Sequence, residues 1–187
     1  MRRHTFMIGL LLPLALWLGC AVDEEPATRL LGEGELQLLA PAASKDAQTD
    51  DLMDIVLNLR PNRPATAVRP GVVLTAPRGC VEQPLQITGD WQGDHPQLPA
   101  IGYDFTPDGT EFLLPLRIQF LLLPCQVDGI DPARLTVVLD REDGTYELIP
   151  TEVDVWPGAV VLRAPLEHFS KYLVAVGPPP DDSNQQR

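Results

Sequence analysis

The chain has 187 residues, and its 26 Asp and Glu outnumber its 14 Lys and Arg, which gives a formal net charge of −12. This balance excludes a typical nucleic-acid-binding protein, because phosphate contacts need clustered Lys and Arg. Apolar residues make up 44 % of the chain, with 20 Pro and 14 Gly. The aliphatic side chains suffice for a packed core, while frequent Pro and Gly argue against a helical bundle. The length suits one domain.

The first nineteen residues have the pattern of an export signal. Arg2 and Arg3 give the chain a basic start, and residues 5–19 carry no charge. This apolar run is too short to cross a bilayer as a stable helix, and it contains Pro13. We therefore predict a cleaved signal peptide over residues 1–19.

The apolar run ends at Leu18-Gly19-Cys20, which resembles the lipobox of bacterial lipoproteins. The resemblance implies that Cys20 begins the mature chain and carries lipid, and that Ala21 favours the outer membrane. We expect an exported lipoprotein attached to the membrane through Cys20, because several acyl chains anchor a protein durably. The alternative is an ordinary cleaved signal with an incidental Cys20. Removing the signal takes away two Arg and no acidic residue, so the net charge moves from −12 to −14.

Cys80 and Cys125 are the other two cysteines. In an oxidising compartment we expect them to form a disulfide. A bridge across this separation would stabilise the fold by about 4 kcal/mol in the chain-entropy model. The alternative is two buried free thiols. A zinc site is disfavoured because neither cysteine has a CxxC or nearby His companion, and we expect no cofactor.

Residues 20–69 are predicted to form the lipidated start, a polar tether and possible extra strands. Residues 34–40 and 55–59 are the candidate strands. Residues 42–54 are polar and acidic and fit either a loop or a short helix. Residues 60–70 hold three prolines, which indicates a linker or an edge segment.

From residue 70 to residue 176, short runs rich in Val, Leu and Ile alternate with turn residues. This pattern is typical of all-β proteins. We predict a β-sandwich of about nine short strands over 70–176, followed by a disordered tail over 177–187. Phe105 and Phe112 flank the turn signal Pro107-Asp108-Gly109, and we expect them to meet across a hairpin in the core.

Three stretches of this region resemble the ZU-five family, β-sandwich modules found in ankyrins, netrin receptors and bacterial secreted proteins. They are GVVLTAPRGCV (71–81), YDFTPDGTEFLLPLRIQF (103–120) and HFSKYLV (168–174). The resemblance implies a β-sandwich that acts as a non-catalytic protein-interaction or structural module, with a protein partner that it does not identify.

The resemblance also implies one alternative activity, at His168-Phe169-Ser170. In some relatives the Phe-Ser bond of such a motif cleaves itself. Transferred here, the Ser170 hydroxyl would attack the Phe169 carbonyl, with His168 as the base. The purely structural interpretation is that Phe169 packs in the core and Ser170 begins the last strand. We favour the non-catalytic module over a self-cleaving domain.

Two further groups of residues are weaker candidates for binding. Trp91 stands beside three polar residues of one loop: Asp90, Asp94 and His95. This group fits either a ligand or metal site or a solvated loop, and we favour the solvated loop. A second group of acidic residues lacks the spacing of an EF-hand calcium site, and a role in forming turns explains these residues more simply: Asp128, Asp131, Asp140, Glu142 and Asp143. A Ser-His-Asp hydrolase is not predicted, because there is no G-x-S-x-G sequence.

Overall fold

A computed structural model describes residues 30–32, 36–41, 53–93 and 100–178. The predicted signal peptide, Cys20 and most of the predicted tail lie outside these residues, as does most of the predicted loop or helix at 42–54. The helical turns in the described ranges fall short of the length and apolar character that a membrane-spanning helix requires.

The described residues form thirteen strands and two short 3-10 turns, which confirms the all-β class. In chain order the strands are β1 (Leu30–Gly32), β2 (Gln37–Leu38), β3 (Ile55–Leu59), β4 (Ala65–Arg69), β5 (Val72–Ala76), β6 (Leu85–Trp91), β7 (Gly102–Thr106), β8 (Glu111–Leu122), β9 (Leu135–Asp140), β10 (Thr145–Ile149), β11 (Glu152–Trp156), β12 (Ala159–His168) and β13 (Lys171–Val176). The 3-10 turns are Pro124–Gln126 and Pro132–Arg134.

The strands form two antiparallel sheets that pack as a sandwich, as the sequence predicted. The eight-stranded sheet has the order β1-β10-β9-β13-β7-β6-β3, and β2 pairs with the end of β13. The five-stranded sheet has the order β11-β12-β8-β5-β4. Strands β3 and β4 precede residue 70 but pair with β6 and β5, so the sandwich includes residues 55–69 as well.

Alternating apolar side chains determine which face of each strand points into the core. In β3 the sequence IVLNL gives a strict buried–exposed alternation, with Ile55, Leu57 and Leu59 inside. In β8 the inward positions are taken by Leu116, Ile118, Phe120 and Leu122. Side chains of successive residues point to opposite faces of a strand, so this pattern places one core between the sheets.

The two sheets differ in how their outer faces are covered. A second buried cluster lies on the outer face of the eight-stranded sheet, formed by Ala100, Val138, Tyr146, Leu173 and Ala175. Leu36 and Leu38, from the segment before β3, pack against this cluster. Among the described residues, no comparable segment covers the five-stranded sheet.

The expected Cys80–Cys125 disulfide is wrong, because both cysteines are free thiols. Cys80 lies in the turn after β5, and its carbonyl accepts a hydrogen bond from the Leu113 amide at the start of β8. Cys125 follows the end of β8. A strand of 12 residues spans roughly 35 Å at ~3.3 Å per residue. The two sulfur atoms are therefore held at opposite ends of the sandwich, far beyond disulfide reach.

The expectation that Phe105 and Phe112 meet across a hairpin is also wrong. Pro107-Asp108-Gly109 does form a turn, with a cis Thr106-Pro107 bond and Gly109 at φ +71°. However, β7 belongs to the eight-stranded sheet and β8 to the five-stranded sheet, so the turn carries the chain from one sheet to the other. The two rings lie on either side of Phe169 instead.

Candidate functional site

Two sheet-to-sheet connections run side by side at one end of the sandwich. We call them the crossover pair, defined as residues 106–110 between β7 and β8 and residues 168–170 between β12 and β13. The Gly109 amide donates to the Phe169 carbonyl (3.3 Å), and the Phe169 amide donates to the Thr110 carbonyl (3.0 Å). The second and third stretches of the family resemblance are thus in direct contact.

Phe169 is the centre of an aromatic cluster beneath the crossover pair. Its ring meets Phe112 edge to face with centroids 4.6 Å apart, and it stacks on Phe105 at 5.9 Å. Phe105 in turn packs against Tyr103 and Tyr172. Phe169 and Phe105 are fully buried. This burial supports the interpretation of Phe169 as a residue of the hydrophobic core.

Hydrogen bonds hold the backbone of His168-Phe169-Ser170 on both sides of the Phe169–Ser170 bond. The Tyr172 hydroxyl donates to the His168 carbonyl at 2.9 Å, and the Phe105 amide donates to the Ser170 carbonyl at 3.2 Å. Burial raises the pKa of Tyr172 far above its usual value, so the hydroxyl stays protonated and remains a donor. These bonds hold the predicted scissile peptide in a fixed position.

The three residues do not form a nucleophile–base pair. His168 Nδ1 lies 3.4 Å from the Phe169 carbonyl oxygen, with no hydrogen bond to the Ser170 hydroxyl. The Ser170 side chain makes no hydrogen bond with any described residue. The carbonyl oxygen, by contrast, faces both the Gly109 amide and the His168 ring. The arrangement can polarise the carbonyl, while the Ser170 hydroxyl has no base among the residues that the structure describes.

The other end of the sandwich holds an open apolar cavity of about 290 Å³. Its lining includes Trp91, Ile101, Leu122, Leu123 and Cys125. Trp91 ends β6, and its ring packs against Tyr103 at 5.3 Å, so it is part of the wall instead of a free loop. A lining of this kind suits an apolar group and offers little to a sugar or an ion.

The acidic residues considered as ligands mostly serve the backbone. Asp131 accepts from the Ala133 amide, Asp140 from the Glu142 amide, and Asp143 from the Thr145 amide and hydroxyl. Asp90 is exposed, and Asp94 and His95 lie outside the described residues. In the part of the chain that the structure describes, no group of three or more His, Cys, Asp or Glu is placed to hold a metal ion.

An exposed apolar surface was not foreseen from the sequence. Of the eight exposed large hydrophobic side chains among the described residues, Val56 alone lies on the eight-stranded sheet. Strand register places several of the others on the outer face of the five-stranded sheet. We call this the apolar face and define it by Val68, Leu121, Leu123 and Trp156. Leu121 pairs with Val161 of β12, which points to the same side of the sheet but is buried, so the exposed part of the face does not include Val161.

The charges on the apolar face balance. Arg163 forms an ion pair with Asp154 and also donates to the Gln119 side chain. Arg117 and Glu152 are exposed on the same side of the sheet. Two cations and two anions give this face a net charge near zero, in a chain whose total is −12. It is therefore a surface on which another acidic protein meets little repulsion.

Comparisons with known proteins found no matching family model, no matching curated protein and no matching solved structure.

Proposed function

We propose that this protein is a lipid-anchored cell-envelope protein that serves as a non-catalytic protein-interaction module. The observation that carries the proposal is the asymmetry between the two outer faces. The eight-stranded sheet is covered by residues of its own chain, while the apolar face keeps Leu121 and Trp156 at 39 % and 55 % exposure. An exposed apolar patch on a folded domain is typical of a surface that a partner covers.

The N-terminal sequence supports the anchoring part of the proposal. Lipid at Cys20 would hold the chain at the outer membrane, with the sandwich connected through residues 21–29. An acidic protein is repelled by an anionic membrane surface, so the acyl chains must supply the attachment. Cys20→Ser should abolish labelling by an alkyne fatty acid and release the protein from the membrane fraction. Retained labelling of that variant would contradict the anchoring.

The interaction part is tested by photo-crosslinking in intact cells. A photo-reactive amino acid at position 121 should crosslink the protein to a defined protein partner. The same residue at position 56 is the matched control, because Val56 is more exposed (49 %) but lies on the eight-stranded sheet. Crosslinks that are equal at both positions, or absent at 121, would overturn the proposal.

Self-cleavage between Phe169 and Ser170 is the second candidate function. The observation that favours it is the polarised Phe169 carbonyl, which accepts from the Gly109 amide and faces His168 Nδ1. In such a reaction the Ser170 oxygen forms an ester with the Phe169 carbonyl carbon, and the Phe169–Ser170 C–N bond breaks. The serine proton passes to the released amine, and water then hydrolyses the ester, which leaves a carboxylate on Phe169 and restores the Ser170 hydroxyl.

Intact mass under denaturing conditions distinguishes the two functions. The non-catalytic module gives one full-length mature species in the wild type and one in Ser170→Ala, and the two differ only by the mass of the serine oxygen. The self-cleaving domain gives an additional species that lacks residues 170–187, and this species disappears in Ser170→Ala. We expect the single species, because the Ser170 hydroxyl has no base among the described residues.

A further inference from the structure

We propose that two copies of this chain associate by antiparallel pairing of β11 with β11 of the second copy. The pairing would join the two five-stranded sheets into one continuous sheet of ten strands. This inference rests on the proposed role as an interaction module and names one partner, a second copy, for one edge of the sandwich. Its contact surface is the edge of the sheet, and Trp156 is the one residue that this edge shares with the apolar face.

Strand β11 is an edge strand of the five-stranded sheet, and the 3-10 turn Pro132–Arg134 is the other described element that lies close to it. It pairs with β12 through an unbroken five-residue register from Glu152 to Trp156, and no other described strand lies beside it. The strand contains no Pro and no Lys, and the register shows no bulge, so three of the devices that block sheet edges are missing. Charged side chains also block edges, and β11 carries two of them, Glu152 and Asp154. Its backbone groups that point away from β12 have no backbone partner in the described part of the chain.

The opposite edge of the same sheet is blocked. Strand β4 is joined to β3 by a tight turn with an Arg60–Arg63 bridge, which brings the other sheet alongside it. The Arg69 side chain folds back and donates to the Val68 and Asp54 carbonyls. One edge carbonyl of β4 is therefore already satisfied. Strand β11 is also joined to a strand of the other sheet, β10, through residues 150–151, but no described side chain donates to its carbonyl groups. This difference assigns strand addition to β11.

The sequence of β11 is self-complementary in an antiparallel pair. Centring the pair on Asp154 places Val153 of each copy opposite Val155 of the other, and Glu152 opposite Trp156. Val153 already packs against the core, while Val155 is 64 % exposed. Cross-strand pairs of β-branched side chains stabilise a sheet, so this register covers the most exposed valine of the described chain.

The central pair of the proposed register brings the two Asp154 carboxylates together. Each of these carboxylates has an arginine of its own chain as an ion-pair partner. Asp154 forms an ion pair with Arg163, which comes from β12 on the same face of the sheet. Across a two-fold axis, the two Asp154 side chains would thus lie between two Arg163 guanidinium groups. Like charges directly opposite are unfavourable in a sheet, and these neighbouring cations offset that repulsion. Anchoring both copies on one membrane would also raise their local concentration.

Disulfide crosslinking of the full chain in membranes tests the register. In a Cys125→Ser background, Asp154→Cys should give a disulfide-linked dimer under mild oxidation, because the two central residues lie about 5 Å apart between Cα atoms. Glu152→Cys is the register control, since its two copies would be four positions apart, or about 13 Å along the strand. Val68→Cys is the control for random collision, because Val68 lies on the blocked edge and is more exposed than Asp154.

Dimer from Asp154→Cys alone supports the pairing. Crosslinking of Asp154→Cys no greater than that of Val68→Cys overturns it, and equal crosslinking of Glu152→Cys overturns the antiparallel register. In the uncrosslinked protein, Val155→Lys should reduce the dimer seen in detergent by light scattering, while Val68→Lys should not. The photo-crosslink at position 121 reports on the apolar face independently, so loss of the β11 dimer with that crosslink intact refutes only this inference.

Discussion

Phe112 meets Phe169 edge to face, with the ring centroids 4.6 Å apart and the ring planes at 89°. Phe112 belongs to β8 of the five-stranded sheet, while Phe169 lies where the chain passes from β12 into β13 of the other sheet. The same Phe169 ring stacks on Phe105 of β7. One side chain therefore connects both sheets, directly below the hydrogen bonds of the crossover pair.

Truncation of Phe169 should cost far more stability than truncation of Phe112. Phe169 is fully buried, so Phe169→Ala leaves a cavity and should lower the free energy of unfolding by about 3–5 kcal/mol. Phe112 is only partly buried, and Phe112→Ala should cost less. Urea unfolding of the purified protein measures both, with Phe169→Leu as the variant that keeps most of the apolar volume. Equal losses at the two positions would show that Phe169 is not the centre of this packing.

Much of the fold can be predicted from local sequence pattern. The strand at Ile55–Leu59 follows from strict alternation, and the turn at Gly109 follows from residues that permit positive φ. What local pattern does not contain is the sheet that each strand joins. Pro107-Asp108-Gly109 predicts a reversal, but the choice between a hairpin and a crossover depends on packing against Phe169. The disulfide expectation failed for the same reason, because spacing along the chain does not reveal which end of β8 each cysteine occupies.

The candidate sites were predictable only in part. The short motif His168-Phe169-Ser170 could be singled out from the sequence, but its hydrogen bond with Gly109 could not be predicted from it. The direction of the His168 ring, towards a carbonyl instead of the serine, is a matter of side-chain conformation. The apolar face combines residues as distant as Val68 and Trp156, so it emerges only once the strand register is known.

A methyl group at Gly102 should destabilise the fold strongly. A Cβ atom there would lie 2.2 Å from the Tyr172 carbonyl oxygen and 2.8 Å from the Leu173 Cα atom, and both belong to the paired backbone of β13. Because backbone atoms cannot move aside cheaply, Gly102→Ala must separate β7 from β13. We expect a clear fall in the thermal unfolding midpoint, measured by far-UV circular dichroism.

Gly177 provides the matched control for Gly102. A Cβ atom at Gly177 would approach the Arg134 carbonyl oxygen and the Thr136 methyl only to 3.6 Å, which is ordinary contact. Gly177→Ala should therefore leave the midpoint nearly unchanged. A similar fall in both variants would mean that lost chain flexibility, and not the close approach of β7 to β13, determines the effect.

The two free thiols should differ sharply in reactivity. Cys125 is exposed, while Cys80 is buried and its pKa is raised by burial, so less of it is present as the reactive thiolate. In a Cys20→Ser variant, a maleimide should label Cys125 in the native protein and Cys80 only after unfolding in urea. Cys125→Ser should abolish the native labelling. A native protein that resists labelling until it is reduced would instead indicate the disulfide that the structure lacks.

Asp104 should make the stability depend on pH in an unusual direction. Burial raises the pKa of its carboxyl, Lys171 opposes the shift, and the nearby acids Glu142 and Asp90 add to it. Because the folded protein binds this proton more tightly than the unfolded chain, the contribution of Asp104 to stability falls as pH rises from about 4 through the folded-state pKa. Asp104→Asn removes that loss, so it should unfold at higher urea than the wild type at pH 7.

The gain from Asp104→Asn should vanish at about pH 3, where the carboxyl is protonated in both states. A lower midpoint for Asp104→Asn at pH 7 would mean that attraction to Lys171 outweighs the burial of the charge.

Asp143 offers the opposite case, because hydrogen bonds from Thr145 lower the pKa of its exposed carboxyl. Its contribution is present at neutral pH and is lost as pH falls through the folded-state pKa. Asp143→Ala should therefore lower the urea midpoint at pH 7.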